Sequence, residues 1–148
     1  GMEYFNTFGG NAVAAAPTFI KPNTDEIAQL MGYAPETLSQ TVACARALHE
    51  GGIPKVAVSL GAQGALLVTQ SGALLGKPPR IEPKNTVGCG DSMVAGFAVG
   101  IARNLSDRDT LRLAVAVSAA NALSMGTGEY APEDVQRLLP QVEIQSIE

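Results

Sequence analysis

Apolar residues along this chain alternate between short continuous runs and stripes at helical spacing, the pattern of strands and helices laid down in turn. Thr18-Phe19-Ile20 is a short extended run, and Asn23-Thr24-Asp25-Glu26 then opens a helix to about Met31 with Gly32 as its stop. Ser39 is the expected cap of a second helix, on which Val42, Ala45 and Leu48 share one apolar face before Gly51-Gly52 ends it. Val56-Ala57-Val58-Ser59-Leu60 is a continuous β-rich run of the kind buried on both faces of a parallel sheet. Gly61-Ala62-Gln63-Gly64 turns the chain into a further strand over 65–68, and Ser71-Gly72 turns it again towards Ala73-Leu74-Leu75, so this part reads as a β meander. Pro78-Pro79 interrupts, and residues 80–82 predict a short strand.

The second half is mostly helical. A helix from about Ser92 to Arg103 carries Met93, Val94, Phe97, Ala98 and Ile101 as a stripe. Another runs from Ser106-Asp107 to about Ser124, and its residues 114–120 are small and apolar on every side, which predicts burial close against its neighbours. Pro132 suits the first turn of a last helix, 133–139, ahead of a polar tail. Strands alternating with helices, without internal repeats, predict an α/β layered domain with a mostly parallel sheet.

Composition narrows the functional classes. With 148 residues of which 46% are hydrophobic, the chain can bury a core, yet it has no apolar run long enough to cross a bilayer. A net charge of −4 with scattered lysines and arginines argues against nucleic acid as the main partner, and no membrane partner is expected. Cys44 and Cys89 have neither disulfide-framework nor zinc spacing, so a reducing cytoplasm is the expected compartment. Gly1 ahead of Met2 reads as a tag remnant, and residues 1–17 are set apart as an atypical N-terminal segment from the domain at 18–148.

Three stretches carry candidate chemistry, each with a plainer structural reading. In Asn85-Thr86-Val87-Gly88-Cys89-Gly90-Asp91-Ser92 two glycines uncover backbone N–H groups just before a helix, whose own unpaired donors and dipole add to an anion site that needs no cationic side chain. Asp91 stands where a hydroxyl would lose its proton, although it is equally a good first-turn residue. The stretch lacks the Gly-Lys-Ser/Thr of a Walker loop and the spacing of a dinucleotide fingerprint. Asn23-x-x-Glu26 is by itself a capping box, and its functional reading is an amide and a carboxylate ordering water around magnesium. Ser59-Leu60-Gly61-Ala62-Gln63-Gly64 is by itself an ordinary hairpin connection, and otherwise a nucleotide contact.

Lys21-Pro22-Asn23-x-x-Glu26, Ser59-Leu60-Gly61-x-x-Gly64 and Thr86-Val87-Gly88-Cys89-Gly90-Asp91-Ser92 stand in the order and approximate spacing of the C-terminal half of the PfkB, or ribokinase-like, family of ATP-dependent carbohydrate kinases. The resemblance runs from about Phe19 to the C-terminus, and Lys21-Pro22-Asn23, Lys77-Pro78-Pro79 and residues 87–94 look most like 1-phosphofructokinase and tagatose-6-phosphate kinase. It implies a ribokinase-like layered α/β sandwich, C-terminal half only, with a meander and flanking helices. It implies ATP-dependent phosphorylation of a sugar phosphate of the fructose 1-phosphate or tagatose 6-phosphate class. Asp91 would be the general base, and Gly88, Cys89 and Gly90 the anion hole. Ser59, Gly61, Gly64 and Thr86 would line the nucleotide, Asn121 to Ser124 would flank the adenine, and Asn23 and Glu26 would organise Mg2+ and phosphate. A monovalent cation would sit among backbone oxygens of Asn85, Val87 and the turn at 124–126.

Two departures from the family pattern matter. Cys89 replaces the usual alanine between the glycines, and the sole histidine, His49, lies on another helix, so a Cys–His nucleophile is not indicated. The N-terminal half of such kinases, with most sugar contacts, has almost no counterpart here. That predicts an open sheet edge and self-association, or pairing with a complementary half. A non-catalytic nucleotide-binding module and a purely structural scaffold are the alternative readings.

Overall fold

The computed structural model describes residues 3–5, 19–126 and 128–147, with the backbone alone at 3–5. Thr18, expected to begin the first strand, and the segment around it lie outside the described residues. The elements are β1 Glu3–Phe5, β2 Phe19–Lys21, α1 Thr24–Met31, α2 Leu38–Glu50, β3 Lys55–Ser59, β4 Ala65–Thr69, β5 Gly72–Lys77, α3 Cys89–Ala102, α4 Asp107–Leu123, α5 Pro132–Leu138 and β6 Glu143–Ile147. Short 3-10 turns stand at Gly61–Gln63 and Leu139–Gln141.

The strands follow chain order, β1-β2-β3-β4-β5-β6. Connection length explains the directions. The β2–β3 connection contains two helices and the pair is parallel, whereas only residues 60–64 join β3 to β4 and that pair is antiparallel, as is β1 with β2. The α/β layering is as expected, and the sheet is mixed rather than mostly parallel, because the meander supplies much of it.

The described chain forms two compact units. The first is Gly1–Gly61, Ala65–Leu74 and Ser146–Glu148. Every side chain of β4 is buried, and Val56, Ala57 and Val58 of β3 join Phe19, Ile20, Ile27, Val42, Cys44 and Ala45 in its core. α2 packs on β3 and β4, and α1 on α2. Thr37, not Ser39, caps α2: its hydroxyl accepts from Gln40 N at 3.1 Å, which leaves Ser39 inside the first turn. Nearby, the Tyr33 hydroxyl and Cys44 Sγ share a hydrogen bond of 3.3 Å, which holds the phenol pKa above its usual value.

The second unit, Ala62–Gly64 and Leu75–Gln145, is built on α3 against α4, with α5 also on α4. The expected burial of residues 114–120 holds on all but one position, Ser118 being partly exposed. The close approach has a cause in glycine: a Cβ added at Gly96 would lie 2.6 Å from Ala114 Cα, and one at Gly100 would lie 2.7 Å from a Thr110 methyl. Residues 80–82 form no strand, since Pro78, Pro79 and Pro83 strip ladder donors from the segment. The polar tail contains β6, in which only Ile144 and Ile147 are apolar. α3 begins at Cys89, three residues ahead of Ser92. Gly88 adopts φ 83° as its N-cap, a left-handed conformation natural to glycine, and the helix can then start at once.

Substituting Gly96→Ala should lower unfolding stability by about 1–3 kcal/mol through overpacking. A urea midpoint shifted down at unchanged slope would record it, and an unshifted midpoint would show that the two helices can separate at little cost.

Candidate functional site

The candidate residues fall into two constellations, one in each unit. In the first unit, Pro22 prolongs β2 and its carbonyl accepts from Ser59 N at 3.3 Å, so Asn23 and Ser59 come to face one another as a parallel bridge. Asn23 is at the same time the N-cap of α1: its Oδ1 accepts from Glu26 N at 2.8 Å, and Glu26 Oε1 accepts from Asn23 N at 3.1 Å. The plain reading of Asn23-x-x-Glu26 is therefore correct as far as it goes. It leaves something over. Glu26 Oε2 is buried without a hydrogen-bond partner among the described residues, and a buried carboxylate oxygen in that state is a hard acceptor suited to a cation or its water.

Lys21, on β2, is buried, and its Nζ donates to Ser59 Oγ at 3.4 Å. Lysine is seldom buried, and its presence here puts a positive charge next to the strand end that bears Asn23, Glu26 and Ser59. Sequence reasoning gave Lys21 no role. Its signal was a lysine directly after two large apolar residues in a short extended run. Among the described residues no three His, Cys, Asp or Glu side chains gather into a metal site. A magnesium ion here would be held by the Glu26 carboxylate and the Asn23 amide, largely through water and phosphate oxygens, the way Mg2+ is commonly held beside phosphates.

In the second unit the loop 84–88 is suspended from the end of α4. Lys84 N and Asn85 N both donate to Ala122 O, at 2.7 and 3.1 Å, using a last-turn carbonyl that has no partner within its own helix. Asn85 Oδ1 accepts from Val87 N at 3.1 Å, an Asx turn that reverses the chain. Gly88 then caps α3, and the first helical bond is Ser92 N to Gly88 O at 2.9 Å. The N–H groups of Gly90 and Asp91 precede that ladder and point out of the helix start. Asp91 and Gly90 are exposed, and Val87 exposes 67% of its surface. This is a short backbone cradle of the form that suits an anion, the candidate site, with a carboxylate on its rim.

The thiol of Cys89 is turned inward. Its Sγ has two carbonyl acceptors in reach, Asn85 O at 3.7 Å and Ser118 O at 3.6 Å, and it accepts from Asn121 Nδ2 at 3.3 Å. Cys89 thus packs beneath the cradle. Asn121 has no exposed surface, and Ser124 Oγ reaches Asn121 O and Gly126 O at 2.8 and 2.6 Å. Gly64 has φ 102° and a Cβ there would overlap Gly76 O, so this glycine is demanded by local packing whatever else it does. Gly61, at φ 60°, has open space around it.

Residues 9–134 match the pfkB family carbohydrate kinases. The chain is a member of the PfkB family. It is 38% identical to 1-phosphofructokinase of Escherichia coli (strain K12) over 131 residues, which are 88% of this chain and 42% of that protein. The crystal structure of phosphofructokinase-2 from Escherichia coli in complex with potassium superposes with a TM-score of 0.79 at 31% identity, over 83% of this chain and 40% of the other. Arabidopsis thaliana ribokinase complexed with ribose and ATP gives 0.73 at 29%, over 82% and 40%. The chain spans about two-fifths of the length of these PfkB relatives. Among the described residues no helix is long and apolar enough to cross a membrane.

The capping reading of the first constellation makes a quantitative prediction. Asn23→Ala should cost about 1 kcal/mol of stability. Glu26→Gln should cost less, because an amide oxygen still accepts from Asn23 N and the orphaned Oε2 is replaced by a donor. Paired urea titrations check this, and a Glu26→Gln loss as large as that of Asn23→Ala would show that the free oxygen has a structural partner.

Proposed function

We propose that this chain supplies the nucleotide-handling part of an ATP-dependent kinase acting on a hydroxyl of a sugar phosphate, in the fructose 1-phosphate or tagatose 6-phosphate class. The observation that carries the reading is the first turn of α3: a left-handed Gly88 cap, the N–H groups of Gly90 and Asp91 ahead of the helical ladder, and an exposed carboxylate at the third helical position. Membership of the PfkB family, with a 1-phosphofructokinase among its relatives, supports the substrate class.

In the proposed reaction the Asp91 carboxylate accepts the proton of the sugar hydroxyl, whose oxygen forms a bond to the γ-phosphorus of ATP. The bond from that phosphorus to the bridging oxygen breaks, and ADP leaves. The transition state is loose, with negative charge spread over the transferring oxygens, so the turn Gly88-Cys89-Gly90 serves as the anion hole through the N–H groups of Gly90 and Asp91, which stabilise that charge without having to reorganise, while Cys89 N–H is engaged by Thr86 O at 3.4 Å. Lys21, Ser59, Gly61, Gly64 and Thr86 serve the nucleotide phosphates. Magnesium, when bound through Asn23 and Glu26, neutralises phosphate charge. The potassium complex of phosphofructokinase-2 motivates a monovalent cation at backbone oxygens of Asn85, Val87 and residues 124–126. A second copy of the chain, or a complementary segment, completes the proposal as partner.

Calorimetric titration with Mg-ATP tests the reading before any sugar is chosen. Saturable one-site binding is expected, and its absence would leave the chain a scaffold. Asp91→Asn should keep that affinity while phosphoryl transfer to ketose phosphates falls about 100- to 10,000-fold. Turnover near that of the unaltered chain would remove Asp91 from the chemistry, and binding without transfer in the unaltered chain would make it a nucleotide-binding module. Glu26→Gln should raise the Mg2+ concentration needed for half-maximal nucleotide binding by about tenfold. An unchanged requirement would separate Glu26 from the metal.

A further inference from the structure

We propose that Asn121, helped by Ser118, is a positioning residue that holds the anion cradle in shape from beneath, and is not itself a nucleotide contact. The proposal rests on the nucleotide reading of the cradle.

Asn121 lies near the end of α4 with 0% of its surface exposed, among Ala119, Ala120 and Ala122. Burying an amide among alanines is unfavourable unless its polar atoms are paired. Here they are. Both Nδ2 hydrogens have acceptors, Val87 O at 3.0 Å and Cys89 Sγ at 3.3 Å, and Oδ1 accepts from Gly128 N at 2.7 Å. One side chain therefore ties the residue before the Gly88 cap, the first residue of α3 and the turn after α4. Ser118 stands three residues earlier on the same face of α4, and its Oγ donates to Cys89 O at 3.2 Å.

The bond to Val87 O matters most. Gly88 is the freest backbone position in the loop, and rotation there would re-aim the N–H groups of Cys89, Gly90 and Asp91 together. Fixing the carbonyl on one side of Gly88 and the Cys89 backbone on the other removes that freedom. An amide is the side chain that can donate twice and accept once from a single planar group. With no exposed surface, Asn121 cannot lay its side chain against an adenine ring, so its effect on a nucleotide must pass through the loop it holds.

The test compares Asn121→Leu, close in volume but without donors or acceptor, the milder Ser118→Ala, and Gly100→Ala, which strains α3 against Thr110 away from the cradle. Mg-ATP affinity by calorimetry and thermal midpoint are measured for each. Asn121→Leu should weaken Mg-ATP by about tenfold and Ser118→Ala by about threefold. Gly100→Ala should lower the midpoint yet leave affinity unchanged. If Asn121→Leu does not fold, Ser118→Ala decides by the same criterion. Unaltered affinity in both α4 variants would overturn the positioning role alone, as would an equal loss of affinity in Gly100→Ala. No Mg-ATP binding by the unaltered chain would instead overturn the nucleotide reading, and this inference with it.

Discussion

The second unit depends on how closely α3 approaches α4. Gly96, midway along α3, lies against the backbone of Ala114 with no room for a side chain, whereas Gly100, at the end of α3 far from the cradle, meets the Thr110 side chain. At that separation short side chains on one helix reach the backbone of the other. Ser118 and Asn121 can therefore bond directly to Cys89 and Val87, where a longer gap would have needed longer and more mobile side chains. The run of alanines on α4 serves the same end, since bulk there would push α3 away and slacken the loop that leads into it.

The two candidate constellations are built from opposite devices. In the first unit a helix cap leaves one carboxylate oxygen over, beside a buried lysine and a serine at a strand end. Its charge is carried by side chains. In the second unit the candidate donors belong to the backbone at a helix start, with the side chains of Asn85, Ser118 and Asn121 holding that backbone still and the Asp91 carboxylate exposed beside it. Cys89 fits this division: its thiol bridges loop and helix from below, in the place where an alanine would only fill space.

Local chemistry made much of this readable in advance. The Asn23 cap with Glu26, the Gly32 stop, the β meander after residue 55, the helix start at Ser106-Asp107 and the buried α4 follow from neighbouring residues, and α1 and α4 appear with nearly the predicted bounds. The errors arose where one signal had a close competitor. Thr37 outranked Ser39 because Gln40 N was in its reach, and α3 began at Cys89 because Gly88 could take the left-handed cap, which made Gly90 a helical residue instead of a turn. The strand expected at 80–82 failed for want of N–H donors, and β6 was overlooked because its residues are mostly polar.

The sequence by itself determined the family and most of the order of elements, and it marked out the candidate site residues, because glycine turns, caps and carboxylates act over a few neighbours along the chain. Only the tertiary structure decided which of those residues face outward. Asn121 and Asp91 looked alike as polar groups near helix ends, yet one is fully buried and the other exposed. Their difference comes from contacts across more than thirty positions of chain, such as Asn121 with Val87, and no local pattern encodes which carbonyl a buried amide will meet.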